Sequence, residues 1–290
     1  MPVRKKSFRF ARKEMVLLCF ALPSLAGLLG FYVVPFFASL YLAVVDNAVT
    51  GHFVGLQNFK EVATSEAFLL AIKNTAAFIA ICVPVNMIIP LILAMLLGRA
   101  GKFKSIYCLF FLLPLVIPSG SIVHFWKSVF GINGIINGMF FSENPVNWLN
   151  TNLARAVITL VFIWKNAGYN IVLYMAGLSL IPKDYYECAS IEGAGPVRRF
   201  LTVTLVYITP ASFLVFMMSI INSFKSFKEI YLLAGGYPHQ TIYMLQHYMN
   251  NQFALLNYQK LSAASYILSV FIIIVVALLF YFQNKLSKNF

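Results

Sequence analysis

Charge is what this sequence has least of. Only 11% of its 290 residues are Asp, Glu, Lys or Arg, and just nine are acidic. A soluble domain carries about 25% charged residues, so too few remain here to cover a water-facing surface. Cysteine offers no framework either: Cys19, Cys82, Cys108 and Cys188 stand apart, with no CxxC pair and no histidine at ligand spacing. That scatter sets aside a disulfide scaffold or a zinc site and leaves four small packing residues. There is no GxxxxGK[ST] phosphate loop and no nucleophile set in pattern with a base. The chain is therefore not read as an enzyme: no catalytic residue, metal ligand or cofactor is assigned to it.

Apolar length is what it has. Hydrophobic residues make up 60% of the chain and the mean hydropathy is +0.80. Six apolar segments, at about 15–45, 69–98, 105–127, 153–180, 203–226 and 259–283, each exceed the about 20 residues a helix needs to cross a bilayer. In lipid a backbone must satisfy its own hydrogen bonds, so such segments are helices. The expected fold class is all-α integral membrane: six transmembrane helices in one domain, 15–283, between a basic segment 1–14 and a tail 284–290. The first apolar stretch, Met15 to Val45, is far longer than the about 7–15 residues of a signal core. It is expected as a retained span, with Pro23 and Pro35 as kink sites.

The net charge of +13 does not point to nucleic acid, because of where the charge sits. With the N-terminus inside, segments 1–14, 99–104, 181–202 and 284–290 hold six, three, three and two basic residues. The loops 46–68, 128–152 and 227–258 hold only Lys60 and Lys228. This asymmetry places both termini in the cytoplasm. The opposite loops are rich in Asn, Gly and aromatics, which suits a contact surface for an extracytoplasmic partner.

One dense polar stretch interrupts the apolar chain: YYECASIEGAGPVRRF, Tyr185 to Phe200. Pro182 opens a short helix, and Asp184 and Glu187 favour its N-terminal end. Gly193-Ala194-Gly195 breaks it at about Glu192, and Pro196 starts a second helix that carries Arg198 and Arg199 into the fifth span. A cytoplasmic helix–turn–helix with an exposed carboxylate suits docking into a groove on another protein. A merely solvated loop is the plain alternative.

ECASIEG followed by AGPVRRFLTVTL resembles the EAA loop of permease subunits in bacterial ABC importers. Glu187, Ala189, Gly193, Ala194, Gly195 and Leu205 match that pattern as they stand. Cys188, Glu192, Val203 and Val206 depart from it, the last where the pattern has Pro. FVGLQNF, LLPLVIPSGSIVHFWKSVFG, PVNWL and IYLLAGGYPH extend the likeness over nearly the whole chain. They resemble sugar permeases of the maltose-permease superfamily, of the compact six-helix kind. The resemblance implies a type I importer fold and a bacterial cytoplasmic membrane location. It further implies a second homologous permease, two cytoplasmic ATPase subunits that bind ATP and Mg, an extracellular solute-binding protein and a sugar substrate. Glu187 and its neighbours, with Arg198, would receive the stroke of the ATPase.

Polar side chains inside spans are candidates for the substrate path: Asn166, Tyr169 and Asn170 on the fourth, and Ser219, Asn222, Ser223 and Ser226 on the fifth. By resemblance, Asn166, Tyr169, Ser219, Ser223 and Ser226 fall near substrate-contacting positions. For each, a helix–helix hydrogen bond is the alternative. Asn74, Asn86 and His124 are weaker candidates, and Lys165 must snorkel or face a wet cavity. Glycerol phosphate is the competing cargo. An ion-coupled carrier or a channel acting alone is the competing class, and it calls for an intramembrane carboxylate. None of the nine acidic residues falls centrally in the expected spans.

Overall fold

The structure, a computed structural model, describes residues 6–47, 49 and 51–287; the outermost parts of the expected tails, 1–5 and 288–290, lie outside the described residues. It divides into two units, residues 1–65 with 252–282 and residues 66–251 with 283–290.

In the first unit, α1 (Lys6–Leu28) runs through Pro23. A π-helical turn at Leu29–Val33 joins it to α2 (Val34–Val44). Pro35 stands in the first turn of α2. It has no N–H to donate backward, and the widened turn before it accommodates the lost bond. Past α2 the chain turns extended at Val45, and α3 (Gln57–Thr64) folds back. Asn58 Nδ2 donates to the carbonyls of Ala43 (3.0 Å) and Val45 (2.8 Å), satisfying groups that a helix end leaves orphaned. Lys260 Nζ lies 3.1 Å from Glu61 Oε2, and its hydrogen bond, before that of Gln57, holds the Glu61 carboxyl below its usual range.

The second unit holds α4 (Glu66–Leu97), α5 (Lys104–Val116), α6 (Ser119–Phe130), α7 (Ile135–Phe140) and α8 (Ala154–Ser179). After these come α9 (Lys183–Ile191), α10 (Pro196–Arg199), α11 (Leu205–Tyr207), α12 (Thr209–Lys225), α13 (Phe227–Ala234) and α14 (Leu245–Ala254). The chain's last helix, α15 (Tyr258–Ser287), begins in the first unit. Helix α8 is the hub of the second unit and packs on α4, α5 and α12. Ile171 and Tyr174 of α8 meet Ala94, Leu97, Ile208 and Val215 in one buried cluster. At Gly168 the approach is so close that a Cβ would run into the Phe111 carbonyl of α5. Small residues permit this kind of backbone contact between apolar helices.

Among the described residues, five helices are long and apolar enough to cross a membrane: Met15–Val44, Glu66–Leu97, Ala154–Ser179, Thr209–Ala234 and Tyr258–Ala277. The remaining apolar segment is not one straight crossing. It is a pair, Gly101–Val116 and Ser119–Phe140, bent by 100°. The cause is local. Pro118 pushes the residue before it out of the helical region, and Ile117 is extended, with φ −68° and ψ 131°.

One of these helices brings a correction. The span concerned is the fifth expected one, 203–226: as the helix Thr209–Ala234 it continues to Ala234, so Glu229, expected in a connecting loop, lies within an apolar helix and is buried.

Candidate functional site: a charged cavity and a braced hairpin

Helices α8, α12 and α13, with Leu115 of α5, line a cavity of about 280 Å³. Its polar lining is Lys165, Asn166, Asn222, Lys225, Ser226 and Glu229. On α8, Ile158, Phe162, Lys165 and Asn166 recur at helical spacing and share a face. On the other wall, Asn222, Lys225, Ser226 and Glu229 do the same across the junction of α12 and α13. The Ser226 N–H still donates to the Asn222 carbonyl (3.0 Å), so this junction bends little.

Glu229 is 6% exposed, and an isolated buried carboxylate costs several kcal/mol. Here it is compensated twice. Lys165 Nζ pairs with Glu229 Oε1, and Ser119 Oγ donates to the same oxygen at 2.7 Å. Ser119 is the first residue of α6, so the bend at Ile117–Pro118 delivers the third member. Lys165 thus faces the cavity, one of the two fates expected for it. Lys225 lines the same space, and among the described residues no carboxylate pairs with it.

Of the path candidates, Asn166, Asn222 and Ser226 line the cavity. Asn170 and Ser219 lie deeper: Asn170 Nδ2 donates to the Asn86 carbonyl (3.1 Å) and to Ser219 Oγ (3.3 Å). Asn86 Nδ2 donates to the same hydroxyl at 3.0 Å. The three tie α4, α8 and α12 together. Ser223 Oγ donates to the Ile220 carbonyl, and Tyr169 is half-buried; neither lines this cavity. Asn74 is a clamp, donating to the Tyr243 carbonyl (3.0 Å) and accepting from Arg155 (2.8 Å). His124 is exposed.

The second feature is the hairpin of α9 and α10. Ala194 N–H donates to the Ala189 carbonyl and Gly193 N–H to Ser190, the paired bonds of a Schellman cap. Gly193 has φ +76°, a conformation that favours glycine. Pro196 then opens α10 at its first turn. The hairpin is braced onto the following chain. Within it Arg199 Nη1 of α10 donates to Ser190 Oγ of α9 (2.8 Å), and beyond it the Tyr186 and Thr204 hydroxyls lie 3.0 Å apart. The Tyr185 and Tyr207 rings are 4.6 Å apart. Glu187 and Arg198 are exposed. Where the EAA pattern has Pro and this chain has Val206, a π-helical turn at Phe200–Thr204 and a break at Ile208, two residues before Pro210, interrupt the regular helix. A second cavity, about 550 Å³, lies beside the hairpin, with Arg99, Lys104 and Arg199 in its lining.

Sequence reasoning missed Glu229. The available signal was Lys165: a cation midway along a long apolar segment calls for a carboxylate partner, and KSFKEI holds the one that pairs with it. It also missed Asn137, which is 2% exposed. Its amide bonds the carbonyls of Gly131, Ile132 and Val146, and its carbonyl accepts from Val146 and Trp148. No pattern in the sequence marks it.

Comparison with known proteins places this geometry. The chain is 32% identical over 240 residues to the probable ABC transporter permease protein YesP of Bacillus subtilis, covering 80% of this chain and 77% of that one. It is 29% identical to the sn-glycerol-3-phosphate permease UgpA of Agrobacterium fabrum, over 88% and 90% of the two chains. To the arabinooligosaccharide permease AraP of Bacillus subtilis it is also 29% identical, over 97% and 91%. A crystal structure of a bacterial ABC transporter that imports the acidic polysaccharide alginate shares the fold, with a TM-score of 0.81 at 20% identity, covering 98% of this chain and 99% of that one. The family model described as the binding-protein-dependent transport system inner membrane component matches residues 86–289, and the chain belongs to that family, the multi-pass permeases of ABC importers.

Proposed function

We propose that the chain is one of two permease subunits of an importer that passes a sugar, with an oligosaccharide favoured, across the cytoplasmic membrane by alternating access. The observation that carries this reading is the hairpin. Ser190, Tyr186 and Tyr185 are tied to the chain that follows, while the Glu187 carboxylate stands exposed. A rigid arm that presents exposed charges, Glu187 and Arg198 among them, is suited to receive a push from a partner and pass it to α11 and α12. In this reading Glu187, Ala189, Gly193, Ala194, Gly195 and Arg198 form the contact with a cytoplasmic ATPase that holds ATP and Mg. Both termini are cytoplasmic, and the solute-binding protein docks on the opposite side.

Asn166, Asn222 and Ser226 offer hydroxyl-matching groups on the path, and Asn170 and Ser219 fix the helices that carry them. ATP and the loaded binding protein act by favouring one of two conformations differentially. Arabinooligosaccharides, the cargo in the name of AraP, support a sugar; UgpA keeps glycerol phosphate as the second reading. A carrier working alone is supported less: the buried carboxylate it needs is present at Glu229 but is matched by Lys165.

Purification of the tagged chain from its native membrane tests the assembly. Co-purification of an ATPase and a second permease is expected. Recovery of the chain alone, active in transport, would overturn the proposal.

A further inference from the structure

The charges of the α8–α12–α13 cavity do not balance. Two ammonium groups, Lys165 and Lys225, and one carboxylate, Glu229, line it. Glu229 is taken by Lys165 and Ser119. Lys225, four residues before Glu229 and so on the same helical face, has no carboxylate partner among the described residues. Lys225 is exposed and also lines the cavity, so its ammonium is open to an anion that comes and goes, and a charged side chain within an apolar helix marks a functional position by default.

Resting on the importer reading, we propose that this cavity selects a saccharide bearing carboxylates, a uronate oligosaccharide, and that Lys225 meets the carboxylate. The chemistry of the lining separates this ligand from other anions. A phosphomonoester with about two negative charges is best met by the bidentate fork of Arg, and no Arg lines the cavity. A single ammonium matches a single carboxylate. Asn166, Asn222 and Ser226 supply donors and acceptors for ring hydroxyls, and Ile158 and Phe162 supply an apolar wall. Lys165 is withheld from the anion by Glu229, which leaves one net positive charge. The volume of about 280 Å³ sits near the low end of ligand sites, about 300–1,000 Å³, so the cavity reads one part of a longer chain.

The test uses the complete importer, assembled with its own binding protein and ATPase, in proteoliposomes. ATP-driven uptake is measured for trigalacturonate, for its fully methyl-esterified form, which is neutral and nearly the same shape, and for maltotriose. The wild type is expected to take up the acid in preference to both neutral saccharides. A charge-assisted hydrogen bond is replaced in Lys225→Gln, where the KM for the acid is expected to rise at least about tenfold. Lys225→Arg, which keeps the charge, is expected to raise it less than Lys225→Gln does. Uptake of either neutral saccharide in place of the acid overturns this inference and leaves the importer reading standing. So does an unchanged KM for the acid in Lys225→Gln. ATP-driven uptake of none of the three overturns this inference and the sugar reading together. The wild-type comparison requires no variant to fold.

Discussion

Lys165 and Glu229, 64 residues apart in sequence, form an ion pair inside the long apolar helices, and Ser119 closes it from a third. Three separate elements, α8, α13 and the bent α5–α6 pair, thus converge on one carboxylate. Removing one partner leaves a buried charge uncompensated, which costs about 3–5 kcal/mol, whereas replacing both with apolar groups is often neutral. Lys165→Met or Glu229→Leu alone is expected to lower the thermal midpoint of the detergent-solubilised importer sharply, and the double variant to recover most of the loss. Additive losses would refute the pairing as the source of the cost.

His247 gives a pH dependence. Its ring is fully buried, its Nδ1 accepts from the Met244 N–H at 3.1 Å, and burial lowers its pKa to about 4. The folded protein therefore binds a proton less readily than the unfolded chain, whose histidine titrates near 6.5. Stability from the neutral ring is full above about pH 6.5 and is lost as pH falls toward 4. Thermal midpoints measured across that window are expected to drop. In His247→Asn, whose side-chain carbonyl can replace Nδ1 as acceptor, the drop is expected to flatten.

Ser219 and Asn222 lie three residues apart on α12 and separate structure from transport. Ser219 Oγ takes hydrogen bonds from Asn86 and Asn170, while Asn222 lines the cavity. Ser219→Ala leaves two buried donors short of a partner, and each such loss costs about 0.6–2 kcal/mol between apolar helices. Its thermal midpoint is expected to fall with little change in KM for the transported saccharide. Asn222→Ala is expected to show the reverse pattern, read from uptake kinetics and melting curves on the same preparations.

Gly193 tests the hairpin's shape. At φ +76° a side chain costs about 1–2 kcal/mol, and open space surrounds the position, so conformation alone is at stake. Gly193→Val is expected to weaken coupling and leave chain insertion intact. Gly193→Asn, which tolerates the left-handed region, is expected to be milder. Substrate-stimulated ATP hydrolysis checks both.

What the sequence made legible follows from length and local chemistry. Six long apolar segments dictated helices, and Gly193 with Pro196 dictated a turn between α9 and α10, because those signals act within a few residues. The bend at Ile117–Pro118 was hidden because an apolar run on both sides of a proline reads as one segment. Glu229 was hidden for the opposite reason. One carboxylate among Lys225, Ser226 and Lys228 looks like the start of a loop until Lys165, on a distant helix, is seen to neutralise it. Of the polar candidates on α8 and α12, sequence alone could not separate Asn166 and Asn222 from Asn170 and Ser219. All four are polar groups in apolar helices, and only packing decides which face a cavity and which face another helix.

Coupling through Glu187 is the claim on which the rest depends, and charge reversal there tests it most directly. In Glu187→Lys, ATP-driven uptake and substrate-stimulated ATP hydrolysis by the reconstituted importer are expected to fall to background, with the chain still inserted in the membrane. Uptake at the wild-type rate in that variant would contradict the account.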